Sequence, residues 1–327
     1  MAHPDGTWPA LALTRAGASA QLSGFGRPFG LASDAVGYFY VCDMDVHGVA
    51  RLSPDLAQVS WLADDGSGWT QTATIARGTA ARAQPRTPRR LNGPHSVSIS
   101  GAGAFWIATY YSPGLHQFDA DGRHRETRTT IGGRALEGPA TARLDRSDNL
   151  LITEFRLNCV WVADASGNAL GALGGGALDG LVPVSGFAAS SAPGAFDRPH
   201  MTTKLADGSY VVADTWNHRL QLFDEKFKWR AWLGSGCERW CEDAPAAAAA
   251  GEQRWLSTPV AVGAAPDGRF VVTDWGNNEV VWYDAAGTFL AAEAGLVLQK
   301  PYDAQILGSQ LVVADAHNGR VLFNPAT

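Results

Sequence analysis

The sequence lacks the features that mark membrane and secreted proteins. It has no stretch of about 18 uninterrupted apolar residues, so no transmembrane helix is predicted. Residues 1–18 contain no basic segment followed by a long apolar core, so no secretory signal is predicted and a cytoplasmic location is expected. The net charge of −6 argues against general nucleic-acid binding.

Motifs for several common chemistries are also missing. There is no G-x-S-x-G, no H-E-x-x-H and no glycine motif in a strand–loop–helix setting, so serine hydrolysis and nicotinamide or flavin chemistry are not expected. Four cysteines are too few for a disulfide framework in 327 residues. Cys42 and Cys159 are predicted to be buried thiols. Cys237 and Cys241 either form a small loop disulfide or have no special role.

One pattern recurs six times along the chain. Each copy begins with a proline and a short strand, turns into an apolar run that ends in an acidic or polar residue, and continues into a third strand. The prolines are Pro28, Pro94, Pro139, Pro199, Pro259 and Pro301. The apolar runs cover 38–43, 105–109, 150–154, 210–214, 270–274 and 311–315. In the fourth copy the pattern predicts four strands, over 201–205, 210–213, 219–223 and 229–233.

This repetition predicts an all-β protein, a six-bladed β-propeller of four-stranded antiparallel blades. One such sheet cannot bury both of its faces, and a core repeat of about 40 residues is typical of blades that stack around a centre. Residues 1–327 are expected to form one domain, in which segment 8–22 supplies the outer strand of blade six and closes the ring.

Three long insertions, at about 63–93, 174–198 and 235–258, are expected on one face of the ring. Long loops on a rigid scaffold are where binding and chemistry usually occur. The basic stretch 77–90 is predicted to be a mobile loop, with an anion-steering lid as a further interpretation.

The runs 212–224, 272–287 and 313–323 resemble the NHL repeat, in which an apolar strand ends in Ala-Asp and an Asn-His-Arg turn follows. The resemblance extends from about Gly24 to Phe323, with Thr109 and Glu154 in place of the usual Asp in blades two and three. It implies a propeller fold. NHL propellers include enzymes, protein- or RNA-binding modules and extracellular sensors, so the function must be argued from a site.

The residues that follow the repeat prolines are expected to line the mouth of the channel. In blades two, four and six these residues are His95, His200 and Tyr302, which alternate around a six-fold ring and can converge on its axis. Two converging imidazoles favour a site for a divalent metal such as zinc, or an acid–base pair. The alternative is a polar plug that is hydrogen-bonded across a watery channel. Tyr302 is interpreted as a third metal ligand, as a general acid or base, or as a side chain that only fills space.

The same three positions are similar to those of peptidyl-hydroxyglycine amidating lyase, an NHL-like propeller whose zinc is held by three histidines on alternate blades. The resemblance implies that His95 and His200 are metal ligands. Tyr302 stands where the third histidine would be, which is a departure from that family's pattern.

Aromatic and charged side chains occupy the turns that follow the second strands. They are Asp45, Tyr110, Tyr111, Phe155, Arg156, Trp216, Trp275 and His317. Exposed rings are not needed for blade packing, so they predict a surface for a planar or apolar ligand, with Arg156 available to an anionic or carbonyl group. The alternative is that the insertions fold over these rings and use them as a core of their own.

Two functions are compatible with these features. The first is an enzyme that acts on a small planar or anionic molecule by lyase, hydrolase or oxidase chemistry, for example the oxidation of a heterocycle in natural-product tailoring. A divalent metal is its only expected cofactor. The second is a non-catalytic propeller that binds a peptide or a protein partner on the same face.

Overall fold

The computed structural model describes residues 8–63, 65–86, 90–145, 147–164, 166–234, 237–242 and 256–326. These residues form six antiparallel sheets, the blades of a six-bladed β-propeller, which confirms the predicted fold class. The alanine run at 246–250 lies outside the described residues. No helix in the described part of the chain is long and apolar enough to cross a membrane.

The chain divides into two compact units, Met1–Thr129 with Gln305–Thr327, and Thr130–Ala304. The first unit contains blades one and two. The strands of blade one are Pro28–Ser33, Phe39–Asp43, Gly48–Leu52 and Gln58–Trp61, with Ala73–Thr74 added at the edge. The strands of blade two are Pro94–Ile99, Phe105–Thr109, Gly114–Phe118 and His124–Arg128.

Blades three, four and five belong to the second unit. Blade three has strands Pro139–Leu144, Leu150–Glu154, Cys159–Ala163 and Ala169–Gly174, after a small hairpin of Thr130–Ile131 and Arg134–Ala135. Blade four has Thr202–Lys204, Tyr210–Asp214, Arg219–Phe223 and Trp229–Gly234, followed by Cys237–Cys241. Blade five has Pro259–Ala264, Phe270–Asp274, Glu279–Tyr283 and Phe289–Ala292.

Blade six contains strands from both ends of the chain. Its first strand, Asp303–Leu307, crosses the boundary between the two units, and Gln310–Asp315 and Arg320–Pro325 follow. Ser19–Ser23 pairs antiparallel with the last of these, with Ala20 opposite Phe323. Ala12–Ala16 lies beyond it and pairs in parallel with Ala76–Arg77 at the sheet edge. The N-terminal segment therefore supplies two strands to this sheet, where the sequence predicted one.

The second strands are the best buried part of each unit. Phe39–Asp43, Leu150–Glu154, Tyr210–Asp214 and Phe270–Asp274 are buried along their whole length. Both faces of such a strand are covered, which is why its sequence is a continuous apolar run rather than an alternating one. Each of these strands ends in a buried carboxylate at the turn that leads to the third strand.

The four cysteines are distributed as follows. Cys42 and Cys159 are buried and outside the disulfide, as predicted. Cys237 and Cys241 form a disulfide within the edge strand of blade four. Of the two alternatives for this pair, the structure therefore shows the disulfide.

Candidate functional site

A repeated hydrogen bond fixes the segment that leads into four of the repeat prolines, Pro94, Pro199, Pro259 and Pro301. The last residue of the turn after the second strand adopts a left-handed backbone, and its side chain accepts a hydrogen bond from the N–H of the residue before the next proline. The acceptors and donors are Asn158 and Arg198 (2.8 Å), His218 and Thr258 (3.0 Å), Asn278 and Lys300 (2.9 Å), and in the first unit His47 and Gly93 (3.0 Å). We call these bonds turn staples. They position the residues that immediately follow the prolines.

His200 lies between two aromatic rings of the second unit. Its imidazole makes edge contacts with Phe155, at 4.7 Å between ring centroids, and with Tyr302, at 5.9 Å. His200 is partly exposed, whereas Tyr302 is buried. We call Phe155, His200 and Tyr302 the His200 cluster. The sequence predicted that all three belong to the site, and the structure brings them together.

The neighbours of His200 determine which ring nitrogen carries the proton. Its Nδ1 lies 3.1 Å from the Thr215 hydroxyl oxygen. That hydroxyl is also 2.7 Å from the carbonyl oxygen of Pro259 and 3.3 Å from that of Ala213, and a carbonyl can only accept. Since the hydroxyl proton is donated to a carbonyl, Nδ1–H must donate to the Thr215 oxygen. Nε2 is then unprotonated and can accept a proton from a ligand.

Burial keeps this imidazole neutral. It lowers the pKa of His200 to about 4, and hydrogen bonding to the Arg198 backbone offsets this only in part. The ring is therefore uncharged at neutral pH. It can accept a hydrogen bond at Nε2, and an anionic ligand beside it would raise its pKa towards the range in which a general base works best.

Tyr302 is followed by a buried ion pair. Asp303 is fully buried, and its carboxylate lies 3.0 Å from Nη2 of Arg143. A buried pair of this kind needs its full set of hydrogen bonds to offset the loss of hydration. The ion pair joins the start of strand Asp303–Leu307, directly after Tyr302, to strand Pro139–Leu144 of blade three.

His95 occupies an aromatic environment of its own in the first unit. The ring is 5% exposed, stacks on Tyr110 at 4.8 Å between centroids and meets the edge of Phe29 at 4.9 Å. The structure therefore brings two of the predicted site residues, His95 and Tyr110, into contact. The prediction that His95 and His200 converge on one axis stays a prediction.

The remaining predicted turn residues differ in their exposure. Trp216 and Tyr111 are each half exposed, and Arg156 and His317 are exposed. Trp275 is partly exposed. Tyr111 and His317 lie in the first unit with Asp45, which is bound by Arg27 and Arg82.

The expected divalent metal stays a prediction. No group of three or more His, Cys, Asp or Glu side chains within the described ranges is arranged to hold a metal ion. The side chain beside the imidazole in the His200 cluster is a tyrosine rather than a histidine or carboxylate.

Sequence reasoning missed the residues that orient the site. Thr215 sits in a short 3-10 turn, Thr215–Asn217, and Arg198 and Lys300 each precede a repeat proline. One signal was available, because Arg198-Pro199-His200 and Lys300-Pro301-Tyr302 both place a cation two residues before a predicted site residue.

The fold defines the class of this protein as a six-bladed β-propeller, and comparison with solved structures gives the same class. A streptogramin B lyase matches with a TM-score of 0.57 and 13% identity, over 97% of this chain and 96% of the other. Virginiamycin B lyase from Staphylococcus aureus matches with a TM-score of 0.57 and 12% identity, over 93% and 98%. A structure of the nidogen/laminin complex matches with a TM-score of 0.56 and 14% identity, over 94% and 97%.

At these identities the likeness concerns the fold alone. No protein-family model matches the sequence, and no curated protein matches it. The NHL relationship therefore stays a resemblance carried by the repeat motifs.

Proposed function

We propose that this protein is an enzyme that acts on a small molecule with a planar ring, and that Nε2 of His200 accepts the proton released in the reaction. The observation that carries the proposal is the hydrogen bond between His200 and Thr215. It fixes the tautomer, so that the unprotonated nitrogen is the one left for a ligand.

The surroundings of His200 suit a planar ligand. Phe155 and Tyr302 present aromatic edges and faces beside the imidazole, and such rings bind other rings in stacked or edge-to-face arrangements. Tyr302 carries a hydroxyl that can donate a proton, and its ring lies beside the imidazole. The pair can accept a proton from one atom of a substrate and deliver a proton to another, as lyases and hydrolases require.

The structural neighbours support an enzymatic reading of the fold. One of them is virginiamycin B lyase, solved with quinupristin in a form that a single His-to-Ala exchange makes catalytically inactive. That protein therefore shows that a propeller of this kind can depend on one histidine for catalysis. Whether this chain also acts on such a molecule is the first question to test.

Measurement of substrate turnover tests this proposal. Quinupristin and a panel of aromatic lactones, esters and phenols are incubated with the protein, and products are separated by liquid chromatography with mass detection. We expect that any activity falls at least about 100-fold in His200→Ala, as for removal of a general base. The control His218→Asn keeps its turn staple and should keep full activity. Turnover that survives in folded His200→Ala would overturn the proposal.

A second function, non-catalytic binding of a peptide or protein, is favoured by one observation. Trp216 is half exposed, and an exposed ring of this size is a common anchor in protein interfaces. Under this alternative, Trp216→Ala weakens binding of the partner while His200→Ala leaves it unchanged. The enzyme proposal expects His200→Ala to be the damaging change.

A further inference from the structure

Two tripeptides of the second unit have the same arrangement of residues. Arg198-Pro199-His200 and Lys300-Pro301-Tyr302 each place a cation before the proline and a residue of the His200 cluster after it. Arg198 and Lys300 both have a left-handed backbone with φ of 49°. The N–H of each is held by a turn staple, from Asn158 and Asn278 respectively.

Each cation also lies on a tryptophan. The Arg198 guanidinium is 3.9 Å from the centroid of the Trp216 ring and 5.7 Å from that of Phe155, which in turn contacts His200. Lys300 Nζ is 4.0 Å from the centroid of Trp275. These contacts fix the positions of the two charges, and an attraction of this type is worth roughly 0.5–2 kcal/mol.

Neither charge is neutralised by a carboxylate. Within the described part of the chain, no Asp or Glu oxygen lies within 4.0 Å of the Arg198 guanidinium or of Lys300 Nζ, which donates only to the carbonyl oxygens of Trp275 and Gly276. The equivalent cation of blade one is different, because Arg27 pairs with Asp45 at 2.6 Å. The remaining equivalent positions are Gly93, Gly138 and Thr258.

The left-handed backbone alone does not explain this pattern. Thr258, in blade five, has the same conformation, with φ of 52°, and carries no charge. The conformation therefore belongs to the fold, whereas, among the described residues that precede the repeat prolines, a cation without a carboxylate partner occurs only at Arg198 and Lys300.

We infer that the ligand of the His200 cluster is an aromatic carboxylate, whose anionic group pairs with Arg198 while its ring lies against Phe155 or the exposed face of Trp216. The inference rests on the function proposed above for the assignment of catalysis to this site. Two unpaired cations in a chain of net charge −6 create a local positive potential that attracts an anion. The planar guanidinium suits a carboxylate, and Lys300 adds to the potential from the side of Tyr302.

The test compares two ligands of the same shape. Binding of 2-naphthoate and of its neutral analogue 2-naphthamide is measured by calorimetry at low and high salt. We expect the wild type to prefer the carboxylate by about tenfold or more, with the preference shrinking as salt is added. Arg198→Gln should remove most of the preference and Lys300→Gln part of it, and neither change should affect the amide.

Arg269→Gln is the matched control. Arg269 also lies over a tryptophan, at 5.2 Å from the Trp282 centroid, but it pairs with Asp267. It comes just before the second strand of blade five, Phe270–Asp274, whereas the turn with Trp275 comes after that strand. The preference for the carboxylate should be unchanged in this variant. All three changes are on partly or fully exposed side chains, and thermal unfolding verifies that the variants are folded.

The outcomes separate the two proposals. Equal binding of the two ligands, binding of neither, or a carboxylate preference that survives Arg198→Gln would overturn the anion site, even if His200→Ala abolishes turnover. A carboxylate preference that depends on Arg198, together with full turnover in His200→Ala, would support the anion site and refute the proposed catalytic role.

Discussion

A hydroxyl group with two carbonyl neighbours determines the protonation of His200. Thr215 donates to Pro259 and therefore receives the Nδ1 proton of His200, which leaves Nε2 as the acceptor. The tautomer of His200 therefore depends on a single hydroxyl group, and substitution of Thr215 tests this dependence.

Thr215→Val keeps the shape of the residue but removes the hydroxyl. We expect the two neutral tautomers of His200 to become mixed, because Nδ1–H loses its partner. The ring ¹⁵N chemical shifts report the tautomer directly, and Ser209→Ala, in an exposed turn of the same blade, serves as the control. An unchanged Nδ1–H tautomer in Thr215→Val would show that another group orients the ring.

Glu154, the acidic residue at the end of the second strand of blade three, has one carboxylate oxygen without a hydrogen-bond partner. Its Oε2 accepts from the Gly138 N–H at 3.0 Å, while Oε1 is buried with no hydrogen-bond partner. In the same position of blade four, Asp214 is bound by Asn217 and Arg219. Burial raises the pKa of Glu154 to about 7.

Glu154→Gln should therefore remove a pH dependence of stability. The folded protein holds this proton up to about pH 7, whereas the unfolded chain releases it near its ordinary pKa, so stability falls as pH rises between these values. The loss amounts to about 3 kcal/mol in the wild type. Urea unfolding at pH 5 and pH 8 measures it, with the exposed Glu225→Gln as control. An equal pH dependence in wild type and Glu154→Gln would contradict the raised pKa.

In blades one, three, four and five, a turn staple joins the turn after the second strand to the residue before the next repeat proline. A staple residue must accept a hydrogen bond and tolerate a left-handed backbone, and Asn and His do both. This explains why the turn histidines His47 and His218 are equivalent to Asn158 and Asn278.

Substitution of His218 separates these two requirements. His218→Asn should be nearly neutral, since Asn performs the same role in two other blades. His218→Gly keeps the backbone conformation but loses the acceptor, at a cost of about 1 kcal/mol, and His218→Ala adds roughly 1 kcal/mol of backbone strain. Chemical unfolding of the three variants should give that order. Equal stabilities for Asn and Ala would show that the staple is unimportant.

The strands could be predicted because short sequence patterns determine them. The second strand of blade four was expected over 210–213 and is Tyr210–Asp214, since a continuous apolar run bounded by turns has few other interpretations. The repeat also predicted which residues follow the prolines, and with them His200 and Tyr302.

The orientation of the site could not be predicted in the same way. The left-handed backbone of Arg198 and Lys300 is unusual for a residue before proline and depends on acceptors 40 and 22 positions earlier in the chain. The tautomer of His200 depends on Pro259, a residue of the next blade. Contacts of this kind appear only once the blades are assembled.

At the scale of the whole molecule, blade six combines the two ends of the chain. Leu22 is fully buried in a core with Val321 and Phe323, and its strand pairs with Arg320–Pro325. The edge of that last strand would otherwise present unpaired N–H and C=O groups.

Leu22→Ala should therefore destabilise the protein by about 2–5 kcal/mol, which is the usual cost of a cavity in a core. Thermal unfolding measures it, and Arg15→Ala, on the exposed neighbouring strand Ala12–Ala16, should change stability little. A melting temperature that is unchanged in Leu22→Ala would mean that the N-terminal strands contribute nothing to the fold.

The central claim is that His200 presents a neutral, unprotonated Nε2 to an anionic planar ligand. The most direct measurement is a titration of its ring ¹⁵N signals from pH 3 to pH 8, with and without 2-naphthoate. The account predicts a pKa of about 4 in the free protein, Nδ1–H at neutral pH, and a ligand-induced shift at Nε2. A ring that titrates near its ordinary pKa, or an Nε2 signal that the ligand leaves unchanged, would contradict it.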